Sequence, residues 1–73
     1  MTTARYTSQQ YLDSAALHLE RAKIALFHAK RGRRAGLHGF AVLNSAAAQH
    51  YRLAYIQRMR EAREAEIMTG VGE

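Results

Sequence analysis

The chain has no cysteine and no proline among its 73 residues. Without cysteine there is neither a disulfide nor a thiolate metal site to staple so small a chain. Without proline, and with only three Ile and two Val, the sequence favours helix throughout. No apolar run approaches the roughly 20 residues of a membrane span. The opening stretch, Met1 to Gln10, lacks the apolar segment of a secretory signal, so a cytoplasmic location is the expectation. Acidic side chains are also scarce. Residues 1–60 hold ten Lys and Arg against two acidic groups, while residues 61–73 hold one against four.

What is present is alanine. Apolar residues make up 48% of the chain, but 14 of them are Ala, against seven Leu. Alanine promotes helix and buries little area. A chain of this length forms one small domain with a thin core, the usual setting for oligomerisation or for folding against a partner.

The first helix has a clear start. Thr7-Ser8-Gln9-Gln10 fits a capping box, and Tyr6 and Tyr11 occupy the hydrophobic-staple positions around it. Leu12, Ala15, Leu19, Ala22, Leu26 and Ala29 then step by three and four, a seam of alternating large and small residues. Leu17 and Ile24 form a second stripe away from it. After the break, Phe40, Leu43, Ala47, Tyr51, Ala54, Tyr55, Ala62 and Ala65 mark one face of a second helix. Val42, Ala46, Leu53 and Ile56 mark another. Asn44-Ser45 is a possible cap, although the apolar pattern begins earlier.

The segmentation is therefore a flexible N-terminus over 1–6, helix over 7–31, a basic glycine-rich turn over 32–39, helix over 40–68 and a frayed tail over 69–73. The fold class is all-α: an antiparallel two-helix hairpin. Each helix keeps a spare apolar stripe, so a homodimer forming a four-helix bundle is expected. The stripe residues assigned to a dimer or partner contact are Leu17, Ile24, Leu53 and Ile56.

The break itself is the densest feature. Four of the 11 Lys and Arg fall at Lys30, Arg31, Arg33 and Arg34, and glycines follow at 32, 36 and 39. Cations suit a helix C-terminus, and Gly32 or Gly36 can adopt the left-handed conformation that ends one. With His38, Arg52, Arg58 and Arg60, this cluster is the candidate site for phosphate or an acidic protein surface.

Catalytic signals are missing. Asp13 and Glu20 stand two turns apart with nothing to mark them as an acid–base pair. Ser8, Ser14 and Ser45 lie in no nucleophile-elbow context. His18, His28 and His38 are spaced by ten, about 15 Å along a helix, too far apart to share a metal within one chain. The glycines are not a phosphate-binding loop, since no strand precedes them. The expected protein is a non-catalytic regulator without cofactor, metal, membrane or small-molecule substrate. It would dock on a larger, nucleic-acid-handling complex of the transcription or defence type through the basic turn and the spare stripes. The alternative is direct, sequence-independent binding of DNA or RNA. The Ala and Arg usage is compatible with a GC-rich bacterium or its phage.

Overall fold

A computed structural model describes residues 6–72, with side chains described through Met68. Two helices account for the fold: α1, Ser8–Arg34, and α2, His38–Gly72. They pack antiparallel as a hairpin with extents of 56 × 19 × 13 Å. The smallest dimension is about that of one helix with its side chains. The molecule is one layer thick.

Helix α1 starts as the sequence indicates. The Thr7 hydroxyl accepts the Gln10 amide at 3.1 Å, and the Gln10 side chain accepts the Thr7 amide at 2.9 Å. The Tyr6 and Tyr11 rings meet edge to face at 5.6 Å, which closes the staple.

The helix ends later than the sequence suggests. Gly32 does not begin the turn; it lies inside α1, buried. A Cβ placed on it would stand 2.8 Å from the Phe40 ring and 3.3 Å from the Ala41 amide nitrogen. Gly32 is thus required for the close approach of α2, and its breaker tendency is overridden by that contact. The actual stop is Gly36, with φ of +75°. The Leu37 amide donates to the Gly32 carbonyl at 2.8 Å and the Gly36 amide to the Arg33 carbonyl at 3.2 Å, the paired bonds of a Schellman motif. The link is only Ala35, Gly36 and Leu37, not residues 32–39.

Helix α2 likewise begins early, at His38, and the Leu37 carbonyl accepts the Ala41 amide at 2.9 Å. Asn44 is no cap; its side chain donates back to the Phe40 carbonyl within the helix at 2.9 Å. The helix also runs on through Gly72, past the expected tail boundary at Met68. The proposed flexible segment 1–6 lies outside the described residues except for Tyr6.

The seam differs from the expected one in an informative way. The buried apolar residues are all alanines: Ala15, Ala22, Ala25 and Ala29 from α1, and Ala41, Ala48, Ala62 and Ala65 from α2. Ala15, Ala22 and Ala29 form one heptad series; Ala25 and Gly32 belong to the other. In α2 the series Ala41, Ala48, Tyr55, Ala62 faces them, with only Tyr55 partly exposed. Small side chains let the backbones approach closely, as in tight helix pairs generally. The leucines of the expected α1 seam sit on its flank, and Leu26 is exposed. Phe40 and Leu43, placed on the packing face by the sequence pattern, are also exposed, Leu43 at 71%. Large aliphatic groups at flanking positions cannot enter a gap closed by methyl contacts.

Candidate partner-binding surfaces

Three surfaces emerge from this geometry: a basic end and two broad faces. The interacting pairs His18–Tyr51 and the close approach of Gly32 to Ala41 fix the register of the hairpin. They divide it into a turn half, residues 22–51, and an open half, residues 6–21 and 52–68. The turn half contains Lys23, Lys30, Arg31, Arg33 and Arg34 and no carboxylate. The open half contains five basic groups, Arg21, Arg52, Arg58, Arg60 and Arg63, and five acidic ones, Asp13, Glu20, Glu61, Glu64 and Glu66. The net charge of +5 is therefore matched by the turn half alone, and the other half is balanced.

Of the predicted basic site, Lys30, Arg31, Arg33, Arg34 and His38 converge on the turn end, all exposed. Arg33 reaches across the helix pair and donates to the Ser45 hydroxyl at 3.5 Å. Arg52 lies further along α2. Arg58 and Arg60 are about 30 Å from the turn at 1.5 Å per residue, and Arg58 is engaged by Glu61. These two are not part of the basic end.

The stripe residues also separate. Leu53 and Ile56 line an open trough of about 510 Å³ together with Leu26, Gln49 and Arg52, above a floor of Ala22, Ser45 and Ala48. Leu12, Leu19 and Leu26 recur every seven residues along this side of α1. Leu17 and Ile24 lie about 160° around the helix from the buried Ala15 and Ala22, so they point away from α2, on the outer edge of α1. The outer α1 stripe of the sequence reading therefore does not share the trough with Leu53 and Ile56.

The face opposite the trough is aromatic and polar across the helix gap. His18 and Tyr51 stack at 6.2 Å, Arg21 lies 6.0 Å over the Tyr51 ring, and His28 meets Phe40 edge to face at 6.2 Å. Tyr6, Gln10, Tyr11, Ser14, His18 and Arg58 line a second concavity. The Nδ1 of His18 is buried without a hydrogen-bond partner. Burial lowers the His18 pKa, and the charges of Arg21 and Arg58, with His50, lower it further. Spacing along the chain does not reveal this environment, because Tyr51, Arg58 and His50 come from the other helix.

Among the described residues no group of three His, Asp or Glu side chains could hold a metal ion, and no helix is long and apolar enough to cross a membrane. No family model, no curated protein and no solved structure matches the chain.

Proposed function

We propose that the protein is a small non-catalytic regulator that works by occupying the surface of a larger, nucleic-acid-handling complex. The observation that carries this reading is the inversion of its apolar residues. Alanines fill the space between the helices, while Leu12, Leu17, Ile24, Leu26, Leu53 and Ile56 are exposed. Side chains of that size yield about 1.5–3 kcal/mol each when buried, against about 0.8 kcal/mol for a methyl-sized group. Leaving the larger groups outside is consistent with a chain whose apolar surface serves contacts with other chains.

The basic end supplies the second element. Lys30, Arg31, Arg33 and Arg34 present guanidinium forks and an ammonium at one pole, with no carboxylate in that half to neutralise them. Such a pole suits an acidic protein surface and speeds encounter with it. The same concentration of charge favours the second reading, direct contact with nucleic-acid phosphate.

The test is the triple variant Arg31→Ala, Arg33→Ala, Arg34→Ala. These side chains are exposed, so circular dichroism should report unchanged helicity. Capture from nuclease-treated lysate should lose the protein partner retained by the parent chain. Recovery of the same partner by the variant would count against the basic end. Titration with duplex DNA and with RNA at two salt concentrations separates the second reading, since phosphate contacts weaken steeply with salt. No binding at low salt removes it.

A further inference from the structure

We infer that the leucine-bearing face is covered by a second copy of this chain, turned end for end, so that two hairpins form an antiparallel four-helix bundle. The inference rests on the reading of the exposed apolar residues as working surface and names the occupant of one face.

Area gives the first argument. The accessible surface is 5845 Å². A globular monomer of 8.2 kDa is expected to expose about 4,500 Å². The excess of about 1,300 Å² exceeds the roughly 800 Å² that each partner contributes to a standard stable interface. The radius of gyration is 16.3 Å, against about 11 Å for a compact domain of this length. A domain ordinarily needs two layers to bury its apolar faces. This hairpin supplies one, and a second copy supplies the other.

Shape selects the face. On the aromatic side, rings and the Arg58–Glu61 pair span or border the helix gap. On the leucine side the trough is open, with small Ala22, Ser45 and Ala48 beneath Leu26, Leu53 and Ile56, and Arg33 crosses the gap to Ser45 at its turn end. Small floor residues between aliphatic rims form holes for aliphatic knobs, and a two-fold axis makes each copy provide both. Arg52, the cation in the trough, has an apolar stem long enough to carry its head to the rim.

Charge selects the direction. A parallel stack would place one turn half, with five positive and no negative side chains, on another. An end-for-end stack places each turn half on a balanced half that carries Glu61, Glu64 and Glu66. In this arrangement α1 lies on α1 of the second copy in reverse. The heptad series Leu12, Leu19, Leu26 is symmetric about its middle member, so the two-fold axis passes beside Leu19 and pairs Leu12 with Leu26.

The absence of native cysteine permits a direct test on the purified full chain. Sedimentation equilibrium at micromolar concentration should give twice the 8.2 kDa chain mass; a monomer overturns the inference. Under mild oxidation, Leu19→Cys should form a disulfide with its own copy and Leu17→Cys, on the outer edge of α1, should not. Crosslinking by both, by neither or by Leu17→Cys alone overturns the assignment of the face. Nitroxide labels on His38→Cys should lie about 40 Å apart, the length of α1 at 1.5 Å per residue; a separation under about half that value overturns the direction. None of these three measurements involves an acidic partner or nucleic acid, so a monomeric result leaves the function of the basic end to its own test.

Discussion

The two halves of the hairpin solve the same packing problem with different side chains. In the turn half, Ala22, Ala25, Ala29 and Gly32 meet Ala41 and Ala48, all buried. In the open half, Ala15, Ala62 and Ala65 share the seam with Tyr11, His18, Tyr55 and Arg58, and Tyr51 at the boundary stacks on His18; these larger groups are all partly exposed. The turn half closes on methyl contacts and has no slack for a larger group. The open half is wedged by rings and polar groups that remain in touch with water. A methyl-packed seam and unbalanced charge thus coincide at one end, while the His18 and Arg58 contacts lie at the other.

The comparison breaks most readily at Gly32. Gly32→Val should cost about 3 kcal/mol or more, because backbone of α2 as well as the Phe40 ring stands in the way. Chemical denaturation of the variant checks this, and a loss below about 1 kcal/mol would mean that the turn half has room to relax. Gly36→Ala comes next. Its methyl meets open space but its φ is +75°, so the cost is conformational, about 1–2 kcal/mol. Asn at the same position should recover part of that loss, which a steric cause would not allow.

At the open end, Thr7→Ala removes the capping bond to Gln10 and should cost about 1 kcal/mol. Hydrogen exchange should show the loss in the first turns of α1 and leave the turn half protected.

The smallest effect is that of pH. Folding lowers the His18 pKa from its ordinary value of 6.5, through burial first and then through Arg21, Arg58 and His50. The unfolded chain therefore takes up a proton at higher pH than the folded one. Stability contributed by neutral His18 is fully present above about pH 6.5 and is lost as the pH falls through the lower folded value. Thermal unfolding at a series of pH values should show this decline, and His18→Gln should flatten it. An unchanged profile in the variant would assign the decline to another group.

Much of the fold was legible because its signals are local. The Thr7–Gln10 box and the Tyr6–Tyr11 staple need only neighbouring residues, whereas the local sequence leaves the left-handed stop open between Gly32 and Gly36. The start of α2 was not legible, since the carbonyl that begins it belongs to Leu37, a residue with no capping side chain. Gly32 misled for a different reason: its local tendency and its tertiary role are opposed. The seam was half legible. Spacings of three and four admit either the leucines or the alanines as the buried set. A preference for large residues in cores selects the leucines, but the distance between two helices that touch at Gly32 selects the alanines. The basic end was visible as a cluster, whereas the distance of Arg58 and Arg60 from it follows only from helix length.

The three-residue link has a kinetic consequence. Closing so short a loop costs little chain entropy, and contacts near it join residues close in sequence. Each further turn of the two helices joins residues roughly seven positions more distant from one another in sequence. The hairpin is accordingly built to assemble as a zipper, from Gly36 outward, with the basic pole organised first and the tyrosines of the open end last.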